Sequence, residues 1–366
     1  MESQERVALI VPNLLLGGAQ RAIVHLFDQM DNENVVEVHL ISLTNISSNN
    51  YNVGVLDVDR NRYNVHVLEF SKIRHCYLGL SLTLRRLRIS TVLTTVTHVN
   101  QYILLMNRFL PLNVKIIVRE TNMLSLKYKR SDLLGKIFSK YYNYLYSTAD
   151  KIIAQSQDMK RDLEELYPDI IGKTIVINNP INLKSINHSS REYQVRHTNF
   201  ILILGHLTKQ KNHVLLIQII SNFPDVRLLV IGDGPEKSSL VQLAAYLGVD
   251  DRIEFLGFMP NPFPYLMRAK FIVLPSLYEG FPNVLLEALA CGIPILANDC
   301  KGGIREIVTE TNGLIFEYNN SFSLIEKFRE MLHKDWDRNL IRANSAKFDL
   351  KSIAQTYTNV LIGRPS

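Results

Sequence analysis

The chain has 366 residues, 46% of them hydrophobic, and a formal net charge of +6. This length favours two domains of roughly 180 residues over a single domain. It contains no run of about 18 apolar residues, residues 1–6 lack the basic start of a signal peptide, and the three cysteines are widely spaced. The composition therefore predicts a cytoplasmic protein without a membrane-spanning helix, a disulfide framework or a cysteine metal site.

The positive charge is concentrated in residues 71–151, which carry fourteen Lys or Arg against three Asp or Glu. Their net charge of +11 leaves −5 for the rest of a chain whose total is +6. A basic region of this size indicates an anionic partner: phospholipid head groups, a phosphorylated acceptor or nucleic acid.

The first predicted elements are a buried strand at residues 6–11, a loop at 12–18 and a helix at 19–30. Gly17 and Gly18 lie in the loop, and only glycine lets the backbone approach a ligand this closely. The loop lacks the G-x-G-x-x-G spacing of a dinucleotide site. It is either a ligand-binding loop or simply a tight turn.

Two strands follow at residues 36–43 and 65–68, separated by a polar surface segment at 45–62. Residues 78–89 then predict a helix with an apolar face and a basic face. The two faces consist of Leu80, Leu84 and Leu87 and of Arg85, Arg86 and Arg88. Such a helix either lies on an anionic membrane surface or is an ordinary amphipathic helix with a solvated basic face.

Polar residues follow the next two predicted strands, at 91–96 and 114–118. His98 and Asn100 come after the first strand, and a polar tetrad at 119–122 begins where the second ends. In open α/β sheets, the carboxyl ends of the strands form the ligand side. His98 therefore either reaches a ligand cleft or is an ordinary packed histidine.

Residues 127–146 combine lysines and arginines with several tyrosines. This mixture suits a bilayer interface, where aromatic rings lie at the level of the head groups, and also single-stranded nucleic acid. We favour the membrane because no RNA-binding signature accompanies the segment. This half then continues with a strand at 149–154, a helix at 157–167 and a strand at 174–177, and it ends at a polar linker, residues 182–198.

The second half begins with a predicted strand at 200–204 and a loop at 205–212. A strand at 226–231 leads to a Gly-Asp-Gly-Pro segment at 232–235. The third glycine of a dinucleotide fingerprint would fall at Lys237, which argues against NAD. The next elements are a helix at 240–247 and a strand at 252–256, which ends before Gly257 and Phe258.

A strand at 270–274 precedes a loop with Glu279 and a helix at 283–291 that carries Glu287. Pro282 suits the start of this helix, whose free N–H groups attract an anion. Two carboxylates beside that position accept hydrogen bonds from hydroxyls. A ligand that is anionic and rich in hydroxyls, such as a nucleotide-sugar, fits this pattern. The alternative is a pair of solvated glutamates.

The segment Glu279-Gly-Phe-Pro282 followed by Glu287 resembles the E-x7-E signature of family 4 glycosyltransferases, which are retaining enzymes with the GT-B fold. The similarity is detailed from residue 200 to about residue 313 and weaker in the N-terminal half. The resemblance implies that Glu279 contacts the transferred sugar and that Glu287 holds the ribose hydroxyls.

The resemblance further implies that Lys211 clamps the donor diphosphate. Family members usually have an arginine where this chain has His206, which supplies a weaker donor than a permanently charged guanidinium, so Lys209 is a candidate to assist. The implied donor-binding residues are Gly17, Gly18, Gly205, His206, Lys211, Gly232, Gly257, Phe258, Gly280, Phe281, Pro282, Asn283 and Glu287.

Catalytic and acceptor-binding residues are implied in the same way. The catalytic residues are Glu279, Lys211 and His98, and the acceptor-binding residues are Arg119, Glu120 and Asn100. The sequence has no Asp-x-Asp cluster, and enzymes with the GT-B fold generally need no metal, so we expect neither a metal nor another cofactor.

Strands alternate with helices in both halves, as parallel sheets require. Together with the resemblance, this predicts an α/β protein with the GT-B fold, two Rossmann-like domains facing each other across a cleft. The predicted domains are an acceptor-binding domain at 1–181, a linker at 182–198, a nucleotide-sugar-binding domain at 199–350 and a helix at 351–366 that crosses back to the first domain.

The implied function is retaining transfer of a hexose or N-acetylhexosamine from a nucleotide-sugar, with UDP favoured, to a lipid-linked glycan acceptor. This would occur in polysaccharide or glycoconjugate biosynthesis at the inner face of the cytoplasmic membrane, with no nucleic-acid partner. The alternatives are a non-catalytic membrane or nucleic-acid adaptor that kept the fold, and a nucleotide-sugar epimerase of the same fold.

Overall fold

The computed structural model describes residues 5–15, 17–33, 36–44, 56, 58–59, 61–127 and 133–364, with backbone alone for 127 and 133–139. The chain forms two compact units, one comprising Met1–Pro180 and Leu350–Ser366 and the other Ile181–Asp349. Most of the surface segment predicted at 45–62 lies outside the described residues, as do residues 128–132 of the tyrosine-rich segment.

A parallel sheet of seven strands forms the centre of the first unit, in the order β3-β2-β1-β4-β5-β6-β7. The strands are β1 (Arg6–Val11), β2 (Glu37–Thr44), β3 (Val65–Phe70), β4 (Thr91–Thr95), β5 (Lys115–Arg119), β6 (Lys151–Ala154) and β7 (Thr174–Val176). The α-helices between them are α1 (Gly18–Glu33), α2 (Tyr77–Arg86), α3 (Thr97–Phe109), α4 (Leu124–Lys127), α5 (Leu133–Ser147) and α6 (Gln157–Leu166).

This sheet is covered on both faces, which explains why β1 and β5 are nearly continuous apolar runs. Side chains alternate between the two faces along each strand. On β1, Ala8 and Ile10 enter one hydrophobic core, whereas Leu9 and Val11 enter the other. The polar ends of the strands are thereby left at the edges of the sheet.

The second unit contains a parallel sheet of six strands in the order β10-β9-β8-β11-β12-β13. The strands are β8 (Phe200–Leu204), β9 (Arg227–Ile231), β10 (Ile253–Gly257), β11 (Ile272–Leu274), β12 (Ile295–Asn298) and β13 (Gly313–Phe316). The α-helices are α7 (Leu183–Ser189), α8 (His213–Ile220), α9 (Lys237–Tyr246), α10 (Phe263–Leu266), α11 (Asn283–Cys291), α12 (Ile304–Ile307), α13 (Ser321–His333) and α14 (Arg338–Ala343).

The segment predicted as a linker, residues 182–198, is instead folded onto the second unit. It contains α7, and the Asn182 side chain caps this helix by accepting a hydrogen bond from the Ser185 N–H. Ile186 and Val195 are buried in the core of the unit. Low apolar content suggested a linker, but a few well-placed apolar side chains are enough to dock a short segment.

The chain returns to the first unit through α15 (Leu350–Ile362). This helix buries Ile353, Ala354, Tyr357 and Leu361 in the same core that receives Leu9 of β1. Its apolar residues recur at helical spacing, so that a single stripe packs against the unit.

A buried arginine connects this returning helix to the sheet. Arg119, at the end of β5, is 0% exposed. Its guanidinium donates hydrogen bonds to Tyr357 Oη at 3.0 Å, Thr95 Oγ1 at 3.0 Å and Asn179 Oδ1 at 2.6 Å. All three acceptor atoms are neutral oxygens, two of hydroxyl groups and one of an amide. These hydrogen bonds stabilise the buried charge, which makes each acceptor valuable.

The amphipathic helix predicted at 78–89 is α2, and its Leu80 and Leu84 are buried while Arg85 and Arg86 are exposed. It ends three residues earlier than predicted, at Arg86, because Arg88 has a left-handed φ of 55°. Among the helices of the described residues, none is both long and apolar enough to cross a bilayer.

Replacing Tyr357 with phenylalanine is expected to destabilise the first unit by about 1.5–3 kcal/mol, because it removes an acceptor from a buried charge. The measurement is the free energy of unfolding in urea. The matched control is Tyr246→Phe, because Tyr246 is 87% exposed. Equal stabilities of the two variants would show that the Tyr357 hydroxyl does not support Arg119.

His213, the first residue of α8, makes stability depend on pH in the acid range. Its side chain is 3% exposed, and among the described residues neither ring nitrogen has a hydrogen-bond partner. Burial, and then Lys211, lower the pKa of His213 to about 4 from 6.5. Between these values the unfolded chain binds a proton that the folded chain does not, so stability falls as pH falls through this window.

The loss for wild type should reach about 3 kcal/mol at the acid end of the window. His213→Leu should flatten that part of the pH profile of urea unfolding. His333→Gln, which removes an exposed histidine of the same unit, is the control. A His213→Leu profile with the wild-type slope would contradict the assignment.

Candidate functional site

The second unit has one point where its strand order reverses, between β8 and β11. From β8 the chain proceeds to β9 on one side, and from β11 it proceeds to β12 on the other. The loops that follow β8 and β11 therefore diverge and leave a crevice at the carboxyl edge of the sheet, where α/β proteins bind ligands. Lys211 follows β8 and Glu279 follows β11, so both predicted residues are at this position.

Lys211 and Glu279 are in direct contact. The ammonium nitrogen Nζ of Lys211 lies 2.6 Å from Oε1 of Glu279. The two side chains are 22% and 8% exposed, so water screens the pair only partly. The structure thus brings together the two residues to which the resemblance assigned the diphosphate clamp and the sugar contact.

Close backbone packing shapes the loop that follows β8. A Cβ on Gly232, after β9, would lie only 1.9 Å from the carbonyl oxygen of Gly205. Glycine is therefore required where these two loops cross. The side chain of Lys211 runs past Gly205, whose Cβ would lie 3.7 Å from Lys211 Cε. His206 and Lys209 are exposed in the same loop.

A second loop fixes Glu279 from the other side. The Glu279 N–H donates to the Lys301 carbonyl at 3.0 Å. A Cβ on Gly302 would lie 1.8 Å from the carbonyl oxygen of Glu279, and one on Gly303 would lie 2.4 Å from the Phe281 ring. The loop after β12 thus holds Glu279, Gly280 and Phe281 in place, which the sequence did not indicate.

Helix α11 begins directly after the loop that follows β11 and carries Glu279. Pro282 is its N-cap and Asn283 its first residue, so the positive end of the helix dipole lies at the end of the loop that carries Glu279. Glu287, the fifth residue, is 8% exposed. Gly292 ends the helix with a left-handed φ of 71°. The predicted strand, loop and helix are therefore all present, with both glutamates largely buried rather than solvated.

Buried cysteines lie near both glutamates. Burial and the Glu287 carboxylate raise the pKa of Cys291 to about 12, and burial and the Glu279 carboxylate raise that of Cys300 to about 12. Both groups remain thiols at neutral pH, so neither is a thiolate nucleophile.

Two of the implied donor-binding residues, Gly257 and Phe258, lie at the end of β10. Gly257 has a left-handed φ of 76°, and its carbonyl accepts a hydrogen bond from the Gly232 N–H at 2.8 Å. Phe258 follows with 39% of its surface exposed. An exposed aromatic ring at this position can stack on a planar base.

The first unit has its own reversal of strand order, between β1 and β4. Gly17 and Gly18 follow β1, and Gly18 begins α1. His98 is exposed as the second residue of α3, whose N-cap is Val96 with a φ of 75°. The glycine loop and the histidine therefore lie at the ligand edge of this sheet.

The three residues implied in acceptor binding are all fully buried. Asn100 donates to Glu120 Oε1 at 2.7 Å and to the Arg119 carbonyl at 3.0 Å. Glu120 also accepts from Thr97 Oγ1 at 2.7 Å and from Tyr146 Oη at 2.5 Å. In this structure these side chains brace the loops behind His98 and are not at a surface that an acceptor reaches.

Sequence reasoning did not find the partners that complete these buried networks. Tyr146 is 26 residues from Glu120, and Tyr357 is 238 residues from Arg119. Neither lies in a recognisable motif, so only the fold brings them together. Among the described residues, no group of three or more His, Cys, Asp or Glu is arranged to hold a metal ion.

Two family models match consecutive parts of the chain. The model "Glycosyltransferase Family 4" matches residues 16–185, and the model "Glycosyl transferases group 1" matches residues 187–348. Together they span both units, and the second contains the whole crevice around Lys211 and Glu279.

Individual proteins are similar over the full length. The chain is 28% identical to the N-acetylgalactosamine-N,N'-diacetylbacillosaminyl-diphospho-undecaprenol 4-alpha-N-acetylgalactosaminyltransferase of Campylobacter jejuni, over 98% of this chain and 100% of that protein. The crystal structure of Anabaena HepE with UDP-glucose superposes with a TM-score of 0.79 at 16% identity, covering 98% and 99% of the two chains.

A glycosyltransferase from Rickettsia africae gives a TM-score of 0.77 at 17% identity, covering 99% of this chain and 98% of that one. These structural likenesses establish the fold, and the family models establish the sequence relationship. The chain therefore belongs to the family 4 glycosyltransferases, with two Rossmann-like α/β units of the GT-B fold.

Proposed function

We propose that this protein transfers a hexose or N-acetylhexosamine from a nucleotide-sugar, with UDP the favoured nucleotide, to a lipid-linked glycan acceptor, with retention at the anomeric carbon. The observation that carries the proposal is the contact between Lys211 and Glu279 at the strand reversal, directly before the N-terminus of α11. A cation, a carboxylate and the positive end of a helix dipole at one edge match a diphosphate joined to a sugar.

Two relatives support the chemical classes of donor and acceptor. The Campylobacter protein is named for an acceptor on diphospho-undecaprenol and for transfer of N-acetylgalactosamine. The Anabaena structure contains UDP-glucose. We extend a nucleotide-sugar donor and a lipid-linked acceptor to this chain on the basis of these similarities.

The reaction that we propose needs little covalent chemistry from the protein. Negative charge develops on the departing diphosphate, and the acceptor attacks from the same face. The leaving oxygen accepts the proton of the acceptor hydroxyl. Lys211 and the first N–H groups of α11 stabilise the growing charge, and Glu287 holds the ribose hydroxyls.

His206 and Lys209 complete the clamp in our proposal. They lie in the loop after β8 with Lys211, and both are exposed, so they are free to turn toward a diphosphate. An imidazole provides one donor where an arginine would provide a charged fork. We therefore assign most of the charge stabilisation to Lys211.

The first unit would bind the acceptor, with the Gly17–Gly18 loop and His98 at its ligand edge. Asn100, Arg119 and Glu120 support this edge from below through the buried hydrogen bonds described above. We therefore propose that they position the site and do not contact the acceptor themselves.

The same unit would rest on an anionic membrane through α2 and the end of α3. Leu78 and Leu82 are 67% and 68% exposed, and Phe109 is 71% exposed. The hydroxyl of Tyr77 donates to the Leu110 carbonyl at 2.7 Å, so these two helix ends are adjacent. Exposed Arg85, Arg86, Arg88 and Arg108 accompany the apolar side chains. Apolar anchors with basic neighbours are typical of peripheral membrane surfaces.

Replacing Lys211 with alanine should lower the transfer rate by about 100-fold or more, the scale for removing one electrostatic stabiliser of the transition state. The measurement is transfer from a panel of nucleotide-sugars to a lipid-diphosphate-linked acceptor. Lys327→Ala is the control, because Lys327 is a lysine on α13 of the same unit whose side chain is 31% exposed. Near-normal turnover of Lys211→Ala would refute its role, and sugar interconversion without transfer would indicate an epimerase.

Replacing Arg85, Arg86 and Arg88 with glutamine should weaken binding to vesicles that contain anionic lipid by about 1 kcal/mol per charge. Transfer to a short soluble acceptor analogue should be unchanged. The control removes the same charge from the second unit through Lys184, Lys270 and Lys334, all exposed. Equal vesicle binding of the two triple variants would show that α2 does not contact the membrane.

A further inference from the structure

The ion pair between Lys211 and Glu279 is part of a wider junction between two loops. The Leu277 N–H donates to the Gln210 carbonyl at 2.8 Å, and Gln210 Nε2 donates to the Tyr278 carbonyl at 2.8 Å. The ion pair follows as the next contact, at 2.6 Å. Successive residues of the loop after β8 thus meet successive residues of the loop after β11.

These contacts hold Glu279 against Lys211 in the protein without ligand. The backbone of Glu279 is also fixed from behind by Lys301 and Gly302. A carboxylate at 2.6 Å neutralises much of the potential that the ammonium would otherwise present. The partial burial of both side chains limits the screening of that effect by salt.

This arrangement creates competition at the clamp. The proposed clamp places a diphosphate, which carries at least two negative charges, on an ammonium that already has an anionic partner. Like charges placed side by side cost several kcal/mol at a binding interface. Either the carboxylate moves away from Lys211, or the diphosphate binds against its repulsion.

We infer that Glu279 is the internal counter-ion of Lys211 in the donor-free protein and that a nucleoside diphosphate must compete with it for the ammonium. The inference rests on the proposed function and concerns the regulation of that same site. With the complete donor bound, the sugar hydroxyls give Glu279 a new set of partners, and the competition is relieved.

After transfer the sugar is gone, and the carboxylate pairs with Lys211 again. Its return weakens the hold on the nucleoside diphosphate product. Glu279 would thus make the site prefer a nucleotide that carries a sugar over one that does not, and it would favour product release. This is a role beyond contact with the sugar.

The test compares the binding of UDP and of inorganic pyrophosphate to wild type and to Glu279→Gln by titration calorimetry. Glutamine keeps the size of the side chain and its oxygen acceptor but removes the charge. We expect about tenfold tighter binding of both probes by the variant, which corresponds to about 1.4 kcal/mol. The rate of UDP dissociation should fall accordingly.

Two controls isolate the effect. Glu330→Gln removes a carboxylate from an exposed pair with Lys327, 2.9 Å apart, in the same unit, and should leave both affinities unchanged. In the double variant Lys211→Ala, Glu279→Gln, the gain over Lys211→Ala should largely disappear, because the two residues act on the same charge.

Unchanged or weaker binding of both probes by Glu279→Gln would overturn the inference, as would the absence of binding to either protein. An equal gain in the presence and absence of Lys211 would also overturn it. The proposed function fails on a different result, the absence of transfer from any nucleotide-sugar by wild type, since probe binding does not require transfer.

Discussion

The parallel pairing of all strands is the constraint on which the rest of this protein depends. Because each strand is followed by a crossover, the carboxyl ends in each unit lie along one edge, and the loops there are free to vary. The strand order reverses once in each sheet. Lys211 and Glu279 flank the reversal in one unit, and the Gly17–Gly18 loop and His98 flank it in the other. The strand topology therefore sets the position of each candidate site, whichever side chains the loops carry.

Buried polar groups then brace the loops around His98 in the first unit. Arg119 and Glu120 are adjacent in sequence and both fully buried, yet their hydrogen-bond partners differ. The Arg119 guanidinium donates to Tyr357, Thr95 and Asn179. The Glu120 carboxylate accepts from Asn100, Thr97 and Tyr146. Such networks stabilise a structure only when every group is satisfied. Asn179 precedes the point where the chain leaves the first unit, and Tyr357 lies on the helix that returns. One guanidinium thus secures both segments to the sheet.

The sequence predicted most of this architecture because apolar strands and helix-ending glycines are local signals. The strand, loop and helix around Glu279 and Glu287 are present as predicted, and α2 differs from its prediction by a few residues. The sequence could not predict the docking of 182–198, where two apolar side chains decide the outcome, or the burial of Arg119, whose partners are 24, 60 and 238 residues away. It also gave no indication that Lys211 and Glu279 contact each other, since 68 residues separate them.

The contact between Lys211 and Glu279 also affects the role of His206, which stands where family members usually have an arginine. Because Glu279 pairs with Lys211, the free positive charge of the loop after β8 comes largely from Lys209, which is exposed. An arginine at 206 would add a permanent cation, and it would hold diphosphate with or without a sugar. A histidine gives up that uniform affinity. In our proposal the site then relies on the N-terminus of α11 and on contacts made only by a complete donor, so discrimination between substrate and product increases as the fixed charge decreases.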